Sequence, residues 1–265
     1  MHPSVTLETK CWENDWEFLL KTNRIQRLAE RCRFEFARKT LLINNVRSPG
    51  KVCAAAETLV KTGVISDFHL VSDYEAEALD FFGLSKSALG KGYVYSIAEL
   101  VGIYLSTTEF LLHFSGDSMP APAPGWIDAA LMRFENDDRV KVANLTWNDN
   151  YAEAAAEAFA EDVDFHIGYG FSDQMYLVRT SDFRSPSAYH EKHEMSARYP
   201  DYGGELFEKR IDSWMRKHQY VRLTYKHASY SHRNFPRGKL RKRLLLLSER
   251  MTDLVRNHAP LQGAT

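Results

Sequence analysis

The chain has 265 residues, of which 44% are hydrophobic and 26% charged, with a formal net charge of -1. That length admits one large α/β domain or two small ones, and the composition is that of an ordinary soluble globular protein. The balanced charge excludes the overall positive field of a nucleic-acid-binding protein. Charge is nevertheless uneven, because eight Lys/Arg stand against two Asp/Glu between Arg233 and Arg256.

Cys11, Cys32 and Cys53 are too few and too far apart for a disulfide framework or a zinc site. A reducing compartment is therefore expected. The opening residues MHPSV have no basic stretch leading into an apolar core, so no signal peptide is expected. No apolar run approaches the ~20 residues that span a bilayer. The expected location is cytoplasmic, or peripheral at the inner face of the membrane.

In chain order, a β-branched alternating stretch at 5–9 predicts the first strand. A polar loop at 10–15 follows, with Asn14 or Asp15 as cap for a helix over 16–37. Phe18, Leu19, Ile25, Leu28 and Ala29 give that helix its apolar spacing. A second strand at 39–46 ends in Asn44 and Asn45. A small-residue helix at 52–62 stops at Gly63, and a strand at 68–71 leads to a helix capped by Asp73. A further helix covers 95–106.

The strand expected at 110–114 organises the rest. It runs into a polar turn, Ser115-Gly116-Asp117-Ser118. A carboxylate just past the C-terminal end of such a strand lies where open α/β sheets bind ligands. The alternative is a carboxylate that only closes its own turn. The alternation of strands and helices up to this point predicts βαβ units and a mainly parallel sheet flanked by helices.

Beyond Asp117, residues 119–125 carry three prolines and read as stiff and extended. Then come a helix at 126–134, a strand at 140–145, a helix at 151–160, a Gly-rich aromatic stretch at 165–171 and a strand at 174–178. A polar loop at 190–202 precedes an amphipathic helix at 205–217, with Leu206, Ile211, Trp214 and Met215 as its apolar side. A last strand at 221–225 and a basic helix at 238–257 complete the chain. Residues 1–235 are read as one α/β domain and 236–265 as a basic helical tail.

This order of features resembles a GT-A-fold glycosyltransferase. It is most similar to the large inverting family that includes cellulose and chitin synthases and bacterial polysaccharide transferases. The resemblance covers about residues 4–234. It rests on VTLETKCWEND at 5–15, LLINNVRS at 41–48, YSIAELVGIYLSTTEFLLHFSGD at 95–117, and Pro124-Gly125-Trp126-Ile127. Further on it rests on FHIGYGFSDQMYLVRTSDF at 165–183, on Gly204-Glu205 ahead of a helix with Arg210, and on the His-containing end 227–234. One departure is clear: where the family has Asp-X-Asp, this chain has Ser115-Gly116-Asp117.

The resemblance implies a nucleotide-diphosphate-sugar donor, a glycan or lipid-linked acceptor hydroxyl, and a divalent ion, manganese or magnesium. It places Asp117 and His232 on the metal, with Ser115 as a weaker neutral neighbour. Glu8, Asn44 and Asn45 would line the base, Trp12 would stack on base or sugar, and Arg233 would meet phosphate. His232, Arg233 and Lys226 would neutralise the leaving group if the metal were lost. The acceptor hydroxyl needs a carboxylate base; Glu205 is the first choice, with Asp173 and Glu194 behind it. A first-turn glutamate is also explained by the helix dipole alone, and Trp12 by half-burial in its loop.

Two other functions stay open. A sugar nucleotidyltransferase would carry an early Gly-rich phosphate loop, and residues 8–20 contain no glycine. A degenerate GT-A fold that binds glycan or protein finds its support in Ser115. The tail reads as a membrane-surface helix through 237–257, or as a helix whose leucines pack on the domain or on a second subunit of a homo-oligomer.

Overall fold

The computed structural model describes residues 3–199, 204–236 and 238–258. Residues 200–202 of the expected polar loop, and Arg237 and 259–265 of the expected tail, lie outside that range.

The first half of the chain alternates as its apolar pattern requires. β1 (Val5–Cys11) is followed by α1 (Trp16–Leu20) and α2 (Arg24–Cys32), β2 (Arg38–Ile43) by α3 (Pro49–Lys61), and β3 (Asp67–Leu70) by α4 (Val71–Phe81), α5 (Lys86–Leu89) and α6 (Tyr93–Leu105). Then come β4 (Phe110–Phe114), β5 (Ser118–Pro120), α7 (Trp126–Asn136), β6 (Val140–Trp147), α8 (Tyr151–Glu157), β7 (Ala158–Glu161) and β8 (Phe165–Gly168). The last elements are β9 (Met175–Arg179), α9 (Thr180–Phe183), α10 (Phe207–Lys217), β10 (Val221–His232) and α11 (Lys239–His258).

The strands form one largely parallel central sheet in the order β3-β2-β1-β4-β9-β6-β10-β8-β7, with β5 paired to β10 off that path. β3, β2, β1 and β4 are parallel throughout, as are β6 and β10. β9 runs antiparallel between β4 and β6, and β7, β8 and β5 are antiparallel additions.

β4 is buried at every residue. Phe110, Leu112 and Phe114 face a core built with α2 and α7, whereas Leu111 faces the core under α4, α6 and α10. This period-2 division between two apolar layers is why the strand reads as a continuous apolar run. α6 is buried from Ser96 to Ile103, so it is covered on nearly all sides and locks the inner layer.

Several expected boundaries shift. The helix expected over 16–37 is two helices with a break at 21–23. There the Thr22 hydroxyl donates to the Phe18 carbonyl and accepts the Arg24 N–H, and Asp253 of α11 accepts the Asn23 N–H at 2.8 Å. Side chains that bond nearby backbone compete with the helix ladder in this way. α2 then ends on Arg33 in the left-handed region. Asp73 does not cap α4; Leu70 occupies that position. The helix expected to Ala160 stops at Glu157, because 158–161 pair with β8 as a strand. The last strand continues to His232 instead of ending at 225.

Candidate functional site

Two chain features bring Asp117 and His232 together. The chain leaves β4 at Ser115 and turns back within four residues, with the Ser118 N–H donating to the Ser115 carbonyl at 2.9 Å. β5 then pairs antiparallel with the end of β10, placing Ser118 opposite His232. As a result the His232 Nδ1 lies 3.4 Å from the Asp117 carboxylate and 3.2 Å from the Ser118 hydroxyl.

The turn is held from several sides. The Ser115 hydroxyl donates to Asp117 Oδ1 at 3.1 Å and lies 2.7 Å from the Ser118 hydroxyl. Arg24 donates to the Gly116 and Ser118 carbonyls at 2.9 and 3.2 Å, with its guanidinium 5.0 Å from the Phe235 ring centroid. Gly116 has no room for a side chain: a Cβ there would lie 2.6 Å from the Lys10 carbonyl and 3.1 Å from the Asp15 carboxylate.

His232 is fixed by a residue that sequence reasoning missed. Asn148, just past β6, accepts the His232 N–H through Oδ1 at 2.7 Å and donates through Nδ2 to the His232 carbonyl at 3.4 Å. Asn148 and Asp149 both adopt left-handed backbone, with φ of 46° and 59°. Two successive non-glycine residues in that region are uncommon and costly. Here the conformation points the amide of Asn148 back along β10.

Beside this turn stands a pair of carboxyls. The Ser115 N–H donates to the Gln174 carbonyl at 2.8 Å, which seats the loop before β9 against the end of β4. In that loop the Asp173 N–H donates to Glu208 Oε1 at 2.8 Å. Burial first, and then the adjacent Asp173 carboxylate, push the Glu208 carboxyl well above its usual range. On the other side Asp15 is buried and accepts the Trp12 N–H at 2.7 Å; burial lifts its carboxyl to about 7. The sequence reading considered Asp15 only as a helix cap, and its side chain bonds Trp12 instead.

The other expected residues divide. Asn44 sits at the end of β2, with its amide 3.4 Å from the Val94 carbonyl. Asn45 follows it, exposed and left-handed. Trp12 lies at the end of β1 and is 46% exposed, a half-burial that leaves one side of the ring open. Arg233 is exposed and touches the turn through its N–H, 3.4 Å from the Asp117 carbonyl. Lys226 and His227 turn away: they pair with Glu161 and Asp164, at a register shift in β10.

Glu205 precedes α10, whose N-cap is Leu206, so the first-turn acid is Glu208 and not Glu205. The Glu205 carboxylate is tied to Lys209 at 2.7 Å, which lowers its pKa, and its side chain is 36% exposed. Glu194 is exposed, at the start of a short 3-10 turn.

Glu8 is not at a strand end. It lies inside β1, buried, with its carboxyl 2.8 Å from His113 Nδ1 on the neighbouring β4. Gly102 of α6 makes room for it, since a Cβ there would come within 2.2 Å of that carboxyl. Burial raises the Glu8 pKa from 4.5 to about 8. The folded chain therefore keeps a proton on Glu8 that the unfolded chain has already lost. Between pH 4.5 and 8 the native state binds more protons, so this group's contribution to stability falls as pH rises. Glu8→Gln is expected to flatten the fall in melting temperature across that window, measured by scanning calorimetry at a series of pH values.

No family model matches the chain, and no curated protein matches it in sequence. Solved structures do. GalNAc-T7 with UDP, GalNAc and Mn2+ aligns with a TM-score of 0.54 at 8% identity, covering 89% of this chain and 45% of that one. The chain has the GT-A fold. Two further structures align with lower scores. Glucosyl-3-phosphoglycerate synthase from Mycobacterium tuberculosis, with Mn2+, UDP and phosphoglyceric acid, has a TM-score of 0.46 and 11% identity, covering 98% of this chain and 81% of that one. A mycobacterial protein has a TM-score of 0.47 and 12% identity, covering 94% and 75%. In this GT-A chain Asp117 occupies the strand-end turn at which the sequence resemblance placed Asp-X-Asp. Among the described residues no group of three or more His, Cys, Asp or Glu side chains is placed to hold a metal.

Proposed function

We propose that the chain is a glycosyltransferase that moves a sugar from a nucleoside diphosphate donor, UDP-sugar first, to a hydroxyl of a glycan or lipid-linked acceptor, with inversion. The observation that carries this reading is the meeting of Asp117 with His232 at the C-terminal edge of the sheet, next to the Asp173–Glu208 pair. The UDP, GalNAc and Mn2+ bound to GalNAc-T7, which shares the fold, support the donor class. Residues 1–235 would carry the transfer.

The donor set fits a divalent ion. The Asp117 carboxylate and the His232 imidazole, 3.4 Å apart, would hold such an ion together with the donor's phosphate oxygens; the nitrogen favours manganese over magnesium, which takes oxygen ligands. When bound, such an ion supplies charge neutralisation for the departing diphosphate. Ser115 adds no charge, but its hydroxyl orients Asp117. Asn148 orients His232 through both of that residue's backbone groups. Trp12, Asn44 and Asn45 stand where β1 and β2 end and would receive the base. Arg233 stands beside the Asp117 turn and would meet phosphate.

The base in this proposal is Glu208, in place of Glu205. Its Oε1 accepts the Asp173 N–H, which holds the carboxyl in one orientation from which it would take the proton of the acceptor hydroxyl. Burial and the Asp173 carboxylate raise its pKa, which makes it a stronger base than an ordinary carboxylate. Asp173 keeps a role as the residue that fixes and perturbs Glu208. Among the described residues no helix is long and apolar enough to cross a membrane.

Incubation with a panel of nucleotide sugars and Mn2+, with nucleoside diphosphate release as readout, tests the proposal. UDP release from one UDP-sugar, accelerated by a glycan acceptor, is the expected result. Tight UDP binding with no release from any donor would favour the binding module that Ser115 in place of an acid suggests. Asn148→Ala is expected to weaken Mn2+ affinity about ten- to hundredfold, as loss of a hydrogen bond behind a metal ligand does. Calorimetric Mn2+ titration in the presence of UDP measures it, and an unchanged affinity would mean that Asn148 does not position His232.

A further inference from the structure

α11 has two faces of opposite character. Its inner face packs on α1 and α2: Leu245 and Leu246 join the core beside Phe18, Leu19 and Leu20. Both acids of the helix also turn inward. Glu249 and Asp253 each pair with the buried Arg27, and Asp253 accepts the Asn23 N–H as well. Removing one partner from a buried network of this kind is strongly destabilising, so the inner face anchors the helix in one orientation.

The outer face is apolar and cationic. Leu240, Leu244, Leu247 and Met251 are 72, 59, 58 and 61% exposed. Their spacing of four, three and four residues places them on one side of a helix. Arg241, Arg243 and Arg250 are exposed around them. At the foot of the stripe an open groove is lined by Leu240, Leu246, Lys242, Arg243 and Glu17. Glu17 is itself paired with Lys21 at 2.5 Å, so it opposes an incoming anion less than a free carboxylate would.

We infer that this outer face of α11 docks the protein on an anionic phospholipid bilayer, with the leucine stripe in the interface and the arginines on lipid phosphate. An amphipathic helix with cations beside its apolar stripe binds such surfaces by combined apolar burial and charge attraction. Charge argues against a second copy on the same face. Helix pairs are matched by opposite charges flanking the apolar seam, and here both acids are spent on Arg27. Two copies would bring arginine against arginine. This inference is independent of the chemistry proposed for the Asp117 site.

The test is co-sedimentation of the full chain with phosphatidylcholine vesicles and with phosphatidylcholine vesicles containing phosphatidylglycerol. Wild type is expected to bind only the second kind, and less at high salt. Leu244→Glu with Leu247→Glu alters exposed side chains only, and is expected to bind at least about tenfold more weakly. Arg241→Gln with Arg243→Gln should lose about fivefold per arginine. Unchanged melting temperatures would show that the variants remain folded. Failure of wild type to bind the anionic vesicles, or equal binding by the leucine variant, would overturn the inference. So would sedimentation showing a wild-type dimer that the leucine substitutions dissociate, because the face would then be a self-interface.

Discussion

Glu208→Gln is expected to lower the rate of sugar transfer about 10^2- to 10^4-fold, the range for loss of a positioned general base, while UDP affinity stays unchanged. Glutamine keeps the acceptor for the Asp173 N–H but has no site for the acceptor's proton. The pH profile makes the test specific. A base works only when deprotonated, so kcat/KM of the wild type must rise with pH through the Glu208 pKa. Burial and Asp173 displace that pKa upward, so the rise falls at higher pH than an ordinary carboxylate would give. In the glutamine variant that limb disappears and the residual rate is flat. Glu205→Gln, by contrast, breaks only a surface pair with Lys209 and should leave the rate within about twofold. A large loss from Glu205→Gln with none from Glu208→Gln would return the base to the residue favoured by sequence alone.

Asp117→Asn is expected to cost about 10^3-fold in kcat/KM, since a divalent ion contributes several kcal/mol at the developing charge of the leaving group. Asparagine keeps the size of the side chain and an acceptor for the Ser115 hydroxyl, so the turn should survive. The loss therefore isolates the charge. Ser115→Asp runs the other way, restoring the first acid of Asp-X-Asp. It is expected to tighten Mn2+ binding, although it removes the hydroxyl that orients Asp117. Steady-state rates over a Mn2+ series for both variants measure these effects. An Asp117→Asn enzyme with wild-type rates would mean that leaving-group charge is handled elsewhere, for example by Arg233.

The inner strands and Asp117 were legible because both layers bury their apolar faces, and an apolar run ending in a polar turn has few alternative placements. His232 was legible as a residue but not as a neighbour. Its meeting with Asp117 depends on β5 pairing with the end of β10, and the prolines at 119–125 disguised a short strand while β10 was expected to stop at 225. Lys226 and His227 face away from the Asp117 turn because of the register shift in β10, which turns them toward 161–164 and which no sequence pattern announces. Glu208 was not among the sequence candidates, because the helix boundary expected at 205 lies two residues before the start of α10 and made Glu205 the first-turn acid. Glu8 was out of reach because its partner, His113, comes from a strand 105 residues away. Asn148 gave no periodic signal; its left-handed backbone appears only in three dimensions.

Isothermal titration of UDP into the full chain, with and without Mn2+, addresses the Asp117–His232 site most directly. Mn2+-dependent UDP binding that disappears in Asp117→Asn and weakens in Asn148→Ala is the expected result. Absence of UDP binding under both conditions would contradict the assignment of this sheet edge as a nucleotide-sugar site.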